Sequence, residues 1–111
     1  MKHLQDWRAN MLYKILVTKS FESDLDSVLL YIMGTLKNRS AASSLLKKVK
    51  DNIAMLDSAP LAFPVYPNIS KINYHFIPVG NYLIFYHVDE SKKIVCIDRL
   101  LYSARNIEAV L

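Results

Sequence analysis

The stretch "NYLIFYHVDE", residues 81–90, decides how the rest of the chain must be arranged. In an extended backbone Tyr82, Ile84, Tyr86 and Val88 point to one side, and Leu83, Phe85 and His87 point to the other. A strand with one wet face alternates apolar with polar residues. This one is apolar on both sides, which predicts a central strand with something packed on each face. The flanking turns define its neighbours. "PVGN" (78–81) supplies a tight turn back to a strand-like run at about 71–78, and "DESKK" (89–93) supplies another into a run at 93–102. The three runs form an antiparallel meander with the quoted stretch in the middle.

Upstream, "SAPLAFPVYPNIS" (58–70) contains three prolines and reads as a connector. Before it the period changes from two to 3.6. Phe21, Leu25, Val28, Leu29, Ile32 and Leu36 make one helical stripe, with Thr18 or Ser20 as cap and Glu22, Asp24 and Asp26 at the positive end of the dipole. A second stripe, Ala42, Leu45, Leu46, Val49, Ile53 and Leu56, comes after Asn38 or Ser40 as cap and must end near Pro60. So short a link makes the two helices an antiparallel hairpin. "LYKILV" (12–17) is β-branched, aromatic and alternating, and predicts a first strand. "MKHLQDWRAN" (1–10) shows no period. It reads as an extension, flexible or preceding a start at Met11, with Trp7 as a docking anchor. The expected fold is therefore α+β: a strand, a helical hairpin, a three-stranded meander and a short C-terminal helix. The hairpin covers one face of the meander, which leaves the other to the C-terminal segment or a partner chain.

The 111 residues suffice for one core, and 52% hydrophobic against 22% charged residues excludes a disordered chain. Cys96 is the single cysteine, which excludes an internal disulfide, suits a reducing compartment, and reads as a buried thiol within an apolar run. No run reaches the roughly 18 apolar residues of a membrane span, so the expected location is the cytoplasm, away from membranes. His3, His75 and His87 lack the short spacings of zinc sites, and no metal or cofactor is expected. Gly34 and Gly80 stand alone, without a phosphate loop or a nucleophile elbow. A net charge of +4 favours an acidic protein or nucleic acid as partner. Lys47, Lys48 and Lys50 on the second helix read as a solvated face.

On the last strand, alternation sets Arg99 with Val95, Ile97 and Leu101, and Asp98 with Cys96, Leu100 and Tyr102. Lys71, His75, Tyr82, His87, Arg99, Tyr102 and Arg105 offer cations, imidazoles and phenols. Those types suffice for metal-free RNA cleavage, in which a base activates the 2′-hydroxyl, a cation stabilises the phosphorane-like transition state and an acid protonates the leaving oxygen. The plain alternative for a strand histidine or tyrosine is a hydrogen bond at the edge of the core.

Five pieces of the chain resemble the RelE/ParE toxin superfamily of bacterial type II toxin–antitoxin systems: "YKILVTKSFESDLDSVLLYI" (13–32), "AASSLLKKVKDNIAMLDSAP" (41–60), "YHFIPVGNYLIFYHVDE" (74–90), "IVCIDRLLYSARN" (94–106) and "IEAVL" (107–111). The resemblance covers residues 12–111. It implies the same α+β fold, a growth-arresting toxin of the kind found in plasmid-stabilization modules, and a cognate antitoxin that wraps the toxin in a hetero-oligomer. It also implies a target, which is either DNA gyrase, inhibited without catalysis, or the ribosome with its messenger, cut by an mRNA interferase. For the nuclease the likeness suggests His75, where relatives often carry arginine, as base or phosphate ligand, with Arg99 for transition-state charge and Tyr102 as a contact to the nucleobase or a proton donor. Lys71, Tyr82, His87 and Arg105 are candidate binding residues. Leu101 departs from the pattern, since some members have histidine there. Residues 71–111 hold five Lys/Arg and four Asp/Glu, thinner in cations than the RelE-like nucleases, which tilts the expectation to gyrase. Two other classes remain open: an interaction module or decayed toxin that only binds antitoxin, and a general RNA binder.

Overall fold

The computed structural model describes residues 12–67 and 71–111. The expectations for the N-terminal extension, Trp7 and Met11 lie outside the described residues. The elements are β1 (Lys14–Val17), α1 (Lys19–Leu30), α2 (Arg39–Ala54), β2 (His75–Val79), β3 (Tyr82–Asp89) and β4 (Ile94–Tyr102), with single 3₁₀ turns at Met55–Asp57 and Ile107–Ala109.

Thr18 starts α1. Its backbone is extended, and its Oγ1 accepts the Phe21 amide at 3.0 Å, satisfying one orphan donor of the first turn. The helix ends in a π turn, Tyr31–Thr35, in which the Leu36 amide reaches back five residues to the Tyr31 carbonyl. That wider turn rotates the chain off the stripe, so Leu36, expected in the core, is 54% exposed. Lys37 then takes a left-handed φ of 52°, and Asn38 caps α2 by accepting the Ala41 amide at 2.9 Å. The rest of both stripes lands as the periodicity predicts. Phe21, Ile32, Ala42, Leu45, Val49 and Leu56 are buried, with Leu25, Val28, Leu29 and Ile53 packed against them. Leu46 is half-buried.

The sheet runs β1-β4-β3-β2. The meander is as expected, and β1 extends it by pairing parallel to β4 from Lys14↔Ile94 to Val17↔Ile97, so that β3 and β4 are both interior. Gly80, with φ of 58°, fills the first loop position of the β2–β3 hairpin, where a tight turn requires the left-handed region. β2 begins at His75 rather than near residue 71. Outside it the proline-rich connector forms a further rung: Val65 bridges His75, the Tyr66 amide donates to the Tyr74 carbonyl at 2.7 Å, and the Phe76 amide donates to the Pro64 carbonyl at 3.0 Å. Proline tolerates such an edge because only its carbonyl is needed.

The two-faced reading of β3 holds. Tyr82, Ile84, Tyr86 and Val88 join the core under the helices, while Leu83 and Phe85 join a second cluster on the opposite face. That cluster is closed by Ile107 of the C-terminal segment and by Tyr66 of the connector, whose ring stands edge-on to Phe76 and Phe85 at 5.3 and 5.4 Å. The alternation expected for β4 fails at its midpoint. Tyr86 pairs with Ile97 and Phe85 with Arg99, so Asp98 is the extra residue of a bulge. Past it the faces exchange. Leu100 sits with Val95 and Ile97 under the helices, and Leu101 sits with Phe85. No helix among the described residues is long and apolar enough to cross a membrane.

Candidate functional site

The seven residues singled out from the sequence fall in separate places. Tyr82 and Tyr102 are register partners at the hairpin end of the sheet, their rings 5.9 Å apart, with Tyr102 half exposed. Burial, followed by the neighbouring Tyr31 and Tyr102, raises the Tyr82 pKa. Arg105 and Lys71 are exposed. His75 and His87 sit toward the far end of β3, paired with Tyr86 and Cys96 respectively. Five residues of strand separate Tyr82 from His87, about 17 Å at the usual rise. One phosphodiester cannot touch both ends.

His75 is buried at 8% exposure and stacks on Tyr86 at 5.0 Å, and its Nδ1–H donates to the Phe63 carbonyl at 2.7 Å. Tyr86 in turn donates its hydroxyl to the Pro60 carbonyl at 2.8 Å, and burial pushes its pKa up to about 12. Both rings thus pin the connector to the sheet, the hydrogen-bonded core role that the sequence left open for a strand histidine.

Arg99 is engaged by a partner far away in sequence. Its Nε and Nη2 donate to the two carboxylate oxygens of Asp24 on α1 at 2.7 and 3.0 Å, and this carboxylate raises the arginine pKa. Asp24 also accepts the Leu100 amide at 3.0 Å, while Thr18 donates its hydroxyl to the Asp98 carbonyl at 2.9 Å. β1 pairs with β4 only as far as Ile97. Beyond that point the start of α1 takes over the backbone groups that the bulge exposes, and Arg99 closes the arrangement.

A further polar group lies on the face away from the helices, where His87 Nδ1–H donates to Asp98 Oδ2 at 2.6 Å and the Tyr74 ring stands edge-on to the imidazole. Burial pushes the Asp98 carboxyl up despite the histidine beside it. Burial and the Asp98 charge push the Cys96 thiol up to about 11, and the residue is half-buried rather than buried as its apolar run implies. His87 also lines a shallow pocket of about 330 Å³ with Leu61, Asn73, His75 and Glu90. Sequence reasoning ranked His87 only as a binding residue and missed its grouping with Cys96 and Asp98. The signal was the register, since a hairpin turn at 89–93 sets residue 87 opposite 96.

Between the helices, Phe21, Leu25, Leu46, Val49 and Ile53 line an apolar groove of about 340 Å³ that opens to solvent.

Comparison with known proteins fits this architecture. Solved structures with the same fold include a chromosomal ParDE system from P. aeruginosa (TM-score 0.68, 13% identity, covering 83% of this chain and 97% of that one). They also include an archaeal RelE–RelB complex from Pyrococcus horikoshii OT3 (0.61, 17%, 86% and 99%) and a mutant of the E. coli toxin RelE in the free state (0.60, 12%, 90% and 93%). At these identities the likeness speaks for the fold alone. No curated protein sequence matches the chain closely enough to count as a relative. The family description "ParE toxin of type II toxin-antitoxin system, parDE" matches residues 15–107, which takes in every strand but the first residue of β1, both helices and the bulge, and the chain therefore belongs to the ParE toxin family of type II toxin–antitoxin systems.

Proposed function

We propose that this toxin arrests growth by binding and inhibiting DNA gyrase without catalysis, and that a cognate antitoxin holds it inactive in a hetero-oligomer. The observation that carries the reading is the occupation of the groups a nuclease would need. Arg99 is held bidentate by Asp24, His75 is buried under the Phe63 carbonyl, and Tyr102 stands at the far end of the sheet. General acid–base work needs such groups within hydrogen-bond reach of one reacting centre. An inhibitor needs only a surface. The groove between α1 and α2 supports the antitoxin part of the reading, because an open apolar channel fits a helical or extended segment of a partner.

The deciding experiment induces the chain alone in cells and then assays the purified protein against gyrase supercoiling and against ribosome-bound messenger. Growth arrest with lost supercoiling and intact messenger is expected. Arrest with cut messenger would replace inhibition by cleavage. Unimpaired growth would leave a module that binds antitoxin only.

A further inference from the structure

We propose that His87, Cys96 and Asp98 form a binding site for one divalent transition-metal ion of the zinc class, on the sheet face turned away from the helices. The three residues come together through sheet geometry. His87 and Cys96 are direct register partners across β3 and β4, and Asp98 lies two residues beyond Cys96 on the same face, where the bulge presents it. One imidazole nitrogen, the thiol sulfur and one carboxylate oxygen all lie within 4.8 Å of one another. Two neighbouring strands fix the three backbone positions, so the donors are gathered before any ion arrives and only side-chain torsions remain to adjust.

Bond lengths of about 2.0–2.3 Å place tetrahedral ligand atoms roughly 3.3–3.8 Å apart. The separation of 2.6 Å between His87 Nδ1 and Asp98 Oδ2 has to open by about 1 Å, within the reach of side-chain torsions at residues that are only half-buried. The edge-on Tyr74 ring limits how far the imidazole swings. Sulfur, nitrogen and oxygen in one set exclude magnesium and calcium, which take oxygen ligands, and suit zinc or cobalt. Three protein ligands leave the fourth position to water or a partner's side chain.

The charge balance also fits. A thiolate and a carboxylate neutralise a dication, with the imidazole neutral. Binding breaks the Cys96 S–H bond and forms the sulfur–metal bond, and the thiol proton leaves to buffer. The imidazole proton passes through solvent from Nδ1 to Nε2, which frees the nitrogen facing Asp98.

Titration of the reduced full-length chain with Co²⁺ tests the site. One equivalent should bind with tetrahedral visible bands and a thiolate-to-cobalt charge-transfer band in the near ultraviolet, and Zn²⁺ should bleach both. Cys96→Ser should lose the charge-transfer band, and Asp98→Asn, which keeps the shape of the side chain, should weaken affinity at least about tenfold. Circular dichroism checks that each variant folds, and if Cys96→Ser does not, Asp98→Asn decides by affinity alone. His3→Ala should bind as the parent does. Absence of the charge-transfer band in the parent, undiminished affinity in Asp98→Asn, or loss of binding in His3→Ala would each overturn the proposal.

Discussion

The two faces of the sheet are closed in different ways. Under the helices, side chains from β1, β2, β3 and β4 meet two amphipathic stripes, and the strand residues Ile77, Ile84, Tyr86, Val95 and Ile97 have at most 1% of their surface exposed. On the other face the cover is the C-terminal segment, Ile107 with Val110 and Leu111, and the rings of Tyr66 and Tyr74. That cover closes over Phe85 and Leu101, but at the polar group of His87, Cys96 and Asp98 it thins to the edge of the Tyr74 ring and leaves all three residues half-buried. Strands that are apolar on both sides need two covers, and in this fold the second is built from segments of no regular structure. The thick face supplies stability, whereas the thin one is where polar side chains can stay reachable.

The largest effect should come from testing that difference directly. Ile84→Ala, under the helices, should cost about 2–5 kcal/mol, because helices anchored at both ends cannot close the cavity. Ile107→Ala should cost no more than about 2 kcal/mol, since a single 3₁₀ turn, unlike a helix packed along its length, can settle inward over the gap. Urea unfolding of the two variants measures the gap. Equal losses would mean that the thin cover contributes as much as the hairpin.

Tyr86 sharpens the comparison through pH. Its phenol is fully buried on the thick face, and burial pushes its pKa from the ordinary 10.0 up to about 12. The folded state therefore favours the neutral phenol. The stabilisation is complete below pH 10 and is lost as pH rises through 12, roughly 3 kcal/mol across the window. Tyr86→Phe escapes that loss but leaves the Pro60 carbonyl without its donor, at a cost of about 1–2 kcal/mol at neutral pH. The two unfolding curves should thus cross: the variant is the weaker protein at pH 7 and the stronger near pH 12. Parallel pH profiles would mean that the phenol ionises alike in both states.

How far the sequence could be read obeys the same division. The caps at Thr18 and Asn38, the helical stripes and the two faces of β3 were legible, because each depends on neighbours within a few positions. β4 was not. "IVCIDRLLY" has Leu100 and Leu101 side by side, so alternation reads equally well in either phase, and only pairing with β3 reveals the bulge at Asp98. Leu36 misled because nothing in a 3.6-residue period announces a π turn. Among the candidate site residues, Arg99 looked functional as a cation in an apolar strand, and its partner Asp24 lies 75 positions away. The group at His87 was hidden for the converse reason: metal-site spacings are learned from short motifs, whereas a hairpin brings residues 87 and 96 together at a separation no motif marks.

The smallest effects belong to two ion pairs, one at the bulge, where the two faces exchange residues, and one on the open side of α2. Asp24 holds Arg99 with two hydrogen bonds and the Leu100 amide with a third, at side-chain exposures of 16% and 25% for the acid and the base. Lys47 and Asp51 make a pair of the same 2.7 Å length on the open side of α2, at 77% and 63%. Distance alone would rank the two pairs equal, but water does not. The exposed pair is screened and loses side-chain entropy, so Lys47→Ala should change stability by less than about 0.5 kcal/mol. Asp24→Asn keeps an acceptor for Leu100 but leaves a half-buried guanidinium without its counter-charge, and should cost about 1–2 kcal/mol. The same variant should loosen β4 at the bulge, which amide exchange at Arg99 and Leu100 would register as lost protection. If Asp24→Asn were as silent as Lys47→Ala, with exchange at Leu100 unchanged, the bulge would be held by strand pairing alone, and Arg99 would be free for the transition-state role that the family likeness suggests for it.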